Sequence, residues 1–219
     1  MDDMDGKIIV LAHQKGGVGK STVASNLAVE FSKKYPTDVL DIDMQHSLSA
    51  FVASRGDRIP KINMLACPSS CNELMAMMDN HKKGVLIIDT GGFDMDIQRI
   101  AMLGADLIIT PLKDTSMELH GLTVFAKTIA KLRESRPDLK ASILFNSVHP
   151  FAAKSLDDLM KDIVGSTDGE FEAMGAVLRN RKAFSEACYQ GVSVIELDPK
   201  SEAAAEMKML IEDIEKRLK

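Results

Sequence analysis

Long apolar runs are missing from this 219-residue chain. None approaches the ~18 consecutive residues that a membrane-spanning helix requires, so no span is expected. Cysteine is scarce: three residues at irregular spacings cannot supply a disulfide framework. Cys67 and Cys71, four apart, could face one way on a helix, but a metal site would need further ligands nearby, and reduced thiols without a special task are the expectation. A surplus of positive charge is also absent. With 27 Lys and Arg against 32 Asp and Glu the formal net charge is −5, which argues against a globally basic nucleic-acid binder and leaves room for a local patch. Met1-Asp2-Asp3-Met4-Asp5 is acidic and leads straight into an apolar strand, so no signal peptide is expected and the predicted location is the cytoplasm. No internal repeat, linker or low-complexity tract interrupts the chain. What is present is an ordinary globular composition, 45% hydrophobic and 27% charged, and the length fits one α/β domain over residues 1–219 with a substantial core.

The most informative stretch is His13-Gln14-Lys15-Gly16-Gly17-Val18-Gly19-Lys20-Ser21-Thr22. It follows the apolar run Ile8 to Ala12 and precedes a helical pattern of Val23, Leu27, Ala28 and Phe31, so it is the turn between a buried strand and an amphipathic helix. Glycines at 16, 17 and 19 let successive backbone N–H groups point inward, and a helix starting near Lys20 adds the positive end of its dipole. A phosphate-binding loop is the expectation, with Gly16, Gly17, Val18, Gly19 and Thr22 around the phosphates, Lys20 on the β and γ groups and the Ser21 hydroxyl on a magnesium ion. The ordinary pattern G-x-x-x-x-G-K-[ST] is broken, because Gln14 stands at its first glycine and a second lysine, Lys15, opens the loop.

Further along, Asp41-Ile42-Asp43 ends a short strand, two carboxylates pointing one way on extended backbone. One can face the phosphates while the other supports the magnesium shell; a solvated strand end is the plainer alternative. Gly84-Val85-Leu86-Ile87-Ile88-Asp89-Thr90-Gly91-Gly92 is a buried strand whose terminal carboxylate, Asp89, emerges at the edge where ligands bind in open α/β sheets. Asp89 is expected to hold magnesium through a bound water, and Gly91 and Gly92 to give the next segment freedom to respond to loss of a γ-phosphate.

The K-G-G-V-G-K-S loop resembles the deviant Walker A loop of the ParA and MinD superfamily of ATPases. The resemblance implies a slow ATPase working with ATP and Mg2+, a homodimer with nucleotide sandwiched between subunits, and Lys15 reaching across to the nucleotide of the other subunit. It implies that Asp43, the second carboxylate of a D-x-D-P-Q motif in which this chain has Met44 for the proline, positions the hydrolytic water. Asn146, after a strand over Ala141 to Phe145, becomes a candidate adenine contact, with a turn-forming asparagine as the alternative. Arg179, Arg181 and Lys182 resemble the R-N-x-R-x-S-E-A stretch of ParA proteins, with one extra residue before Ser185-Glu186-Ala187, and imply non-specific DNA binding through phosphate contacts. A solvated charged face is the alternative. The implied partners are non-specific DNA and a centromere-binding protein that stimulates hydrolysis, with nucleoid association in the ATP-bound state and plasmid or chromosome partition as the outcome. A protein cargo or organelle, a metabolic ATP-dependent synthetase and a non-catalytic adaptor remain alternatives. With the loop beginning at residue 15, no N-terminal DNA-reading domain is expected before it. Two tyrosines in all set the chain apart from tyrosine-kinase relatives, and the absence of cysteine between Asp89 and Phe93 from iron-sulfur relatives.

The remaining pattern alternates strands with helices, predicting a doubly wound, mostly parallel sheet covered on both faces. It places a helix over His46 to Arg55, a strand over Lys61 to Ala66, a helix opened by Pro68 with a stripe of Leu74, Met75, Met77 and Met78, and a strand from Ala105 ended by Pro111. A long helix runs from Ser116 to Arg136 through Leu119, Leu122, Val124, Phe125, Ile129 and Leu132. The tail, Ser201 to Lys219, is a helix with Ala203, Met207, Leu210, Ile211, Ile214 and Leu218 on one stripe. Its other face is of mixed charge and lacks aromatics, unlike a membrane-surface helix, so it is expected to pack on the domain.

Overall fold

The computed structural model describes residues 4–92, 95–113, 116–149 and 156–219. Among them seven strands form one parallel sheet in the order β3-β2-β4-β1-β5-β6-β7. In chain order the elements are β1 (Lys7–Leu11), α1 (Lys20–Ser32), β2 (Thr37–Ile42), α2 (Ser47–Arg55), β3 (Asn63–Met64), α3 (Cys71–Asn80), β4 (Val85–Thr90) and α4 (Asp96–Leu103). They continue with β5 (Leu107–Leu112), α5 (Ser116–Ser135), β6 (Ala141–Val148), α6 (Leu156–Ser166), β7 (Glu172–Arg179), α7 (Lys182–Gln190), α8 (Val194–Leu197) and α9 (Glu202–Leu218).

The central strands are unbroken apolar runs because both faces of a parallel sheet are roofed by helices. One core layer joins Ile9, Leu11 and Ile87 to Leu27 and Phe31 of α1 and to Met207 and Leu210 of α9. The opposite layer joins Val10, Leu86 and Ile88 to Leu74 of α3, Met102 of α4 and Phe125 of α5. From β1 the chain moves to one side of the sheet, then returns past β1 between β4 and β5, so the strand order reverses there. The carboxyl ends of β1, β4 and β2 therefore open into one crevice, the position at which such sheets hold ligands.

Four expectations need correction. The strand expected over Lys61 to Ala66 shrinks to the two residues of β3, an edge position confined between Pro60 and Pro68. Helix α3 begins at Cys71, not at Pro68: the Ser70 hydroxyl accepts the Glu73 N–H at 3.2 Å, and Ser69 donates from its N–H to Glu73 Oε2 at 2.7 Å. Cys67 thus lies outside the helix and shares no face with Cys71; the three cysteines are free. Pro111 does not end its strand but pairs with Leu144 inside β5. The ladder between β5 and β1 stops at Ile109, so no β1 partner is waiting for the N–H that proline lacks. The methionine stripe divides, with Leu74 and Met78 buried and Met75 exposed.

Strand β7 was not anticipated; its alternating Met174, Ala176 and Leu178 are buried against α9. All six apolar residues of the α9 stripe are buried, and the Ser201 hydroxyl caps the helix by accepting the Ala204 N–H at 3.2 Å. On α5 the stripe from Leu122 to Leu132 is buried except Val124, which is exposed; the Leu119 side chain lies outside the described residues. No helix among the described residues is long and apolar enough to cross a membrane.

Candidate nucleotide-binding site

The loop between β1 and α1 forms the floor of the crevice. Gly17 and Gly19 adopt φ of 74° and 97°, left-handed values that a side chain resists. At Gly19 an added Cβ would also collide with the amide of Asn146. Gly16 differs from the expectation: its φ is not positive, and a Cβ there would meet nothing within 4 Å, so the backbone itself does not demand glycine.

Lys20 opens α1 and is buried, with its ammonium donating to the Lys15 carbonyl at 3.1 Å. Burial lowers its pKa, while the Asp89 and Asp43 carboxylates work in the opposite direction. Lys15 does not aim into its own crevice; its methylenes lie over α5, where a Cβ on Gly121 would approach Lys15 Cε to 3.0 Å. The Lys15 N–H is held by His13 Nδ1 at 2.9 Å. Burial first, then the charges of Lys20 and Lys15, push the His13 pKa down to about 4. The ring is therefore neutral near pH 7, and with Nδ1 accepting, its proton sits on Nε2.

The two carboxylates of Asp41-Ile42-Asp43 have separate tasks. Asp41 is buried and accepts from the Ser49 N–H at 2.8 Å and the Ser49 hydroxyl at 2.9 Å, which pins the first turn of α2. It also accepts the Asp43 N–H at 3.1 Å. Asp43, one residue past β2, stands at the crevice with Oδ1 accepting the Gln45 N–H at 3.1 Å. A cavity of about 500 Å³ is lined there by Gln14, Gly16, Asp43, Gly91, Gly92 and Gln98.

Asp89 sits beside Leu11 on one neighbouring strand and Asp41 on the other. It is wholly buried, and neither of its oxygens has a hydrogen-bond partner of good geometry among the described residues. Burial, with the charges of Asp41 and Asp43 behind it, pushes its pKa up to about 7; the nearby Ser21 hydroxyl and Lys20 oppose the shift. A buried carboxylate in this condition is costly unless a cation compensates it. No group of three or more His, Cys, Asp or Glu side chains able to hold a metal occurs among the described residues. These donors therefore fit Mg2+ carried on phosphates, which is held by one or two protein groups, and not a caged ion.

On the other side of the loop, a cavity of about 330 Å³ is lined by Gly19, Thr22, Lys113, Asn146, Arg179 and Arg181. Asn146 lies inside β6, and its amide donates to the Val18 carbonyl at 2.7 Å, tying the loop to the sheet. Its neighbour Ser147, at φ 59°, also lies within β6, where the register against β7 shifts between Asn146 and Val148. Arg179 and Arg181 also border this cavity, and both are engaged by Glu206 of α9 at 3.2 and 2.8 Å, with Glu202 as a further partner of Arg181. Burial would raise Glu206, but hydrogen bonds from Arg181 and Arg179 outweigh it and hold the carboxyl below its usual range. Lys182, the third cation of the cluster, is exposed at the start of α7.

The structure thus brings Lys15, Gly16, Gly17, Val18, Gly19, Lys20, Ser21, Thr22, Asp43, Asp89 and Asn146 around one loop, with Arg179, Arg181 and Lys182 at its rim. Sequence reasoning missed Gln98, whose neighbours come from distant segments, and gave the His13 ring no role, although it binds the Lys15 N–H two residues on.

A glycine-curled loop at the switch point of a parallel sheet, with a buried lysine and a buried carboxylate beside it, defines a P-loop nucleotide-binding protein. The family model for the CobQ/CobB/MinD/ParA nucleotide binding domain matches residues 9–194, and the chain belongs to that family. It is 23% identical over 207 residues to the Maintenance of carboxysome distribution protein A of Halothiobacillus neapolitanus, covering 90% of this chain and 91% of that protein. It is 27% identical over 149 residues to Protein ParA of Rhizobium radiobacter, covering 65% of each. The septum site-determining protein MinD of Pyrococcus horikoshii, solved with Mg-ADP, superposes with a TM-score of 0.70 at 17% identity over 95% of both chains.

Proposed function

We propose that this chain is an ATP-hydrolysing switch, one domain over residues 1–219, that dimerises around nucleotide and partitions or positions DNA in the cytoplasm. The observation that carries the reading is the convergence of Lys20, Asp43 and the buried Asp89 on one P-loop, with a second lysine, Lys15, at its mouth. Ser21 and, through water, Asp89 would hold Mg2+, with Asp43 outside them; a bound magnesium there would neutralise charge developing on the phosphates. Lys20 stabilises the same charge within the subunit, and Lys15 serves the facing site of the homodimer. Asp43 orients the attacking water. Asn146 stands where the base would lie, and Arg179, Arg181 and Lys182 supply phosphate contacts to non-specific DNA once nucleotide reshapes their rim. A centromere-binding protein completes the cycle by accelerating hydrolysis, since an unaided switch of this kind turns over slowly.

A second reading, positioning of a protein cargo, draws support from the Halothiobacillus relative, which matches over nearly its whole length. The same DNA track serves both readings, and the cargo differs.

The test is equilibrium binding to non-specific duplex DNA with ATP, ADP or no nucleotide at two salt concentrations. Binding is expected only with ATP, weakening steeply with salt, and lost when Lys182, Arg179 and Arg181 are neutralised. Asp43→Ala should keep ATP and DNA binding while hydrolysis drops tenfold or more. ATP binding without any DNA affinity would remove the DNA track, and hydrolysis undiminished in Asp43→Ala would remove that residue's role.

A further inference from the structure

Gln98 is 6% exposed, on the first turn of α4, and its Nε2 is buried without a hydrogen-bond partner among the described residues. Native folds seldom leave a buried amide unpaired, because the unmet donor costs on the order of 1–3 kcal/mol. The other orphaned nitrogen nearby is His13 Nε2, which lines a small void with Gln98. That nitrogen carries the imidazole proton, so neither donor can satisfy the other.

The same side chain also borders the 500 Å³ cavity that contains Asp43, Gly91 and Gly92. At Gly91 the missing side chain leaves a point of convergence: a Cβ built there would lie 3.0 Å from Gln98 Nε2 and 3.4 Å from Asp43 Oδ1. The two groups therefore flank the bare Gly91 Cα from one side, and a water admitted between them would meet an amide donor and a carboxylate acceptor together, which is the pairing an attacking water requires.

We infer that Gln98 is a water-positioning residue for ATP hydrolysis, acting jointly with Asp43; the inference rests on the ATPase reading above. The Gln98 amide donates to the water oxygen and fixes its approach, and Asp43 accepts a hydrogen bond from the water. The water oxygen forms its bond to the γ-phosphorus as the bond to the bridging oxygen breaks, whose electron pair leaves on ADP. The water's proton passes through Asp43 to the released phosphate. Holding a reactant in line is the main service a protein renders to phosphoryl transfer.

The test uses the full chain with ATP, magnesium and duplex DNA. Gln98→Leu keeps the volume and removes the donor; Gln98→Glu keeps an acceptor and removes it too. Both should slow single-turnover hydrolysis about tenfold or more, with ATP affinity within twofold of wild type. The nucleotide-free Gln98→Leu protein should melt no lower than wild type, because it discards an unpaired amide; a purely structural glutamine would melt lower. Hydrolysis at the wild-type rate in Gln98→Leu overturns the inference alone, as does loss of ATP affinity in step with rate. A wild-type chain that binds ATP and never hydrolyses it removes the ATPase reading and this inference with it.

Discussion

Replacing Asp89 with asparagine should make the nucleotide-free protein more stable at pH 8 while removing the magnesium dependence of ATP binding. The folded carboxyl has its pKa pushed from 3.8 to about 7, chiefly by burial. A raised carboxylate pKa means that the fold holds the proton more tightly than the unfolded chain does. Below about pH 4 both states are protonated and the group costs nothing. As pH rises from about 4 to about 7 the unfolded chain releases its proton first, and this group draws stability down across that window; above it the cost is constant. Three units correspond to on the order of 4 kcal/mol at most, and a neutral amide escapes it. Roughly 2–4 °C per kcal/mol for a chain of this size gives a melting-temperature gain approaching ~10 °C at pH 8 and little gain near pH 4. In parallel, the difference in ATP affinity between magnesium and chelator, expected to be about a hundredfold in the wild type, should vanish. A variant less stable than wild type at pH 8 would show that the charged carboxylate is compensated from within.

Gly92→Ala should weaken ATP binding by about a hundredfold and leave the fold standing. A Cβ at Gly92 would lie 2.7 Å from the Gly16 nitrogen and 3.0 Å from the Lys15 carbonyl carbon. Both are backbone atoms and cannot swing aside. The loop after β4 and the phosphate loop must then separate, a small-to-large change costing about 1–3 kcal/mol. Displaced N–H groups lose charge-assisted bonds to phosphate worth about 1.5–3 kcal/mol each, and ~2.7 kcal/mol is a hundredfold in affinity. The separation opens toward the crevice and spares the core, so the nucleotide-free melting temperature should move by only a few degrees. Calorimetric titration with ATP and magnesium measures it; affinity unchanged from wild type would mean that the two loops part before nucleotide enters.

How much of this was legible beforehand depends on whether the determining contacts are close in sequence. The phosphate loop and Asp89 are each written in one run, an apolar strand followed directly by its functional residue, and strand direction alone carries both to the same edge. The division of labour between Asp41 and Asp43 is not written there, because Ser49, eight residues on, decides it by binding Asp41. Arg179, Arg181 and Lys182 read as an open cation cluster, yet Glu206 approaches two of them from the mixed-charge face of the tail helix. Gln98 stood in an unremarkable helix, and only the bare Cα of Gly91 and the proton on His13 make it conspicuous. The strand expected around Asn63 failed for a different reason: composition favoured extension, but at the sheet edge only two residues find a neighbour.

The phosphate loop is fastened at both shoulders, by the His13 ring to the Lys15 N–H and by the Asn146 amide to the Val18 carbonyl, with the Lys20 ammonium bridging back to Lys15. A loop so fastened has surrendered its conformational entropy during folding, and little remains to be lost when a nucleotide arrives. Association should then be quick and resemble a rigid-body encounter. Its temperature dependence should be governed by desolvation of the phosphates.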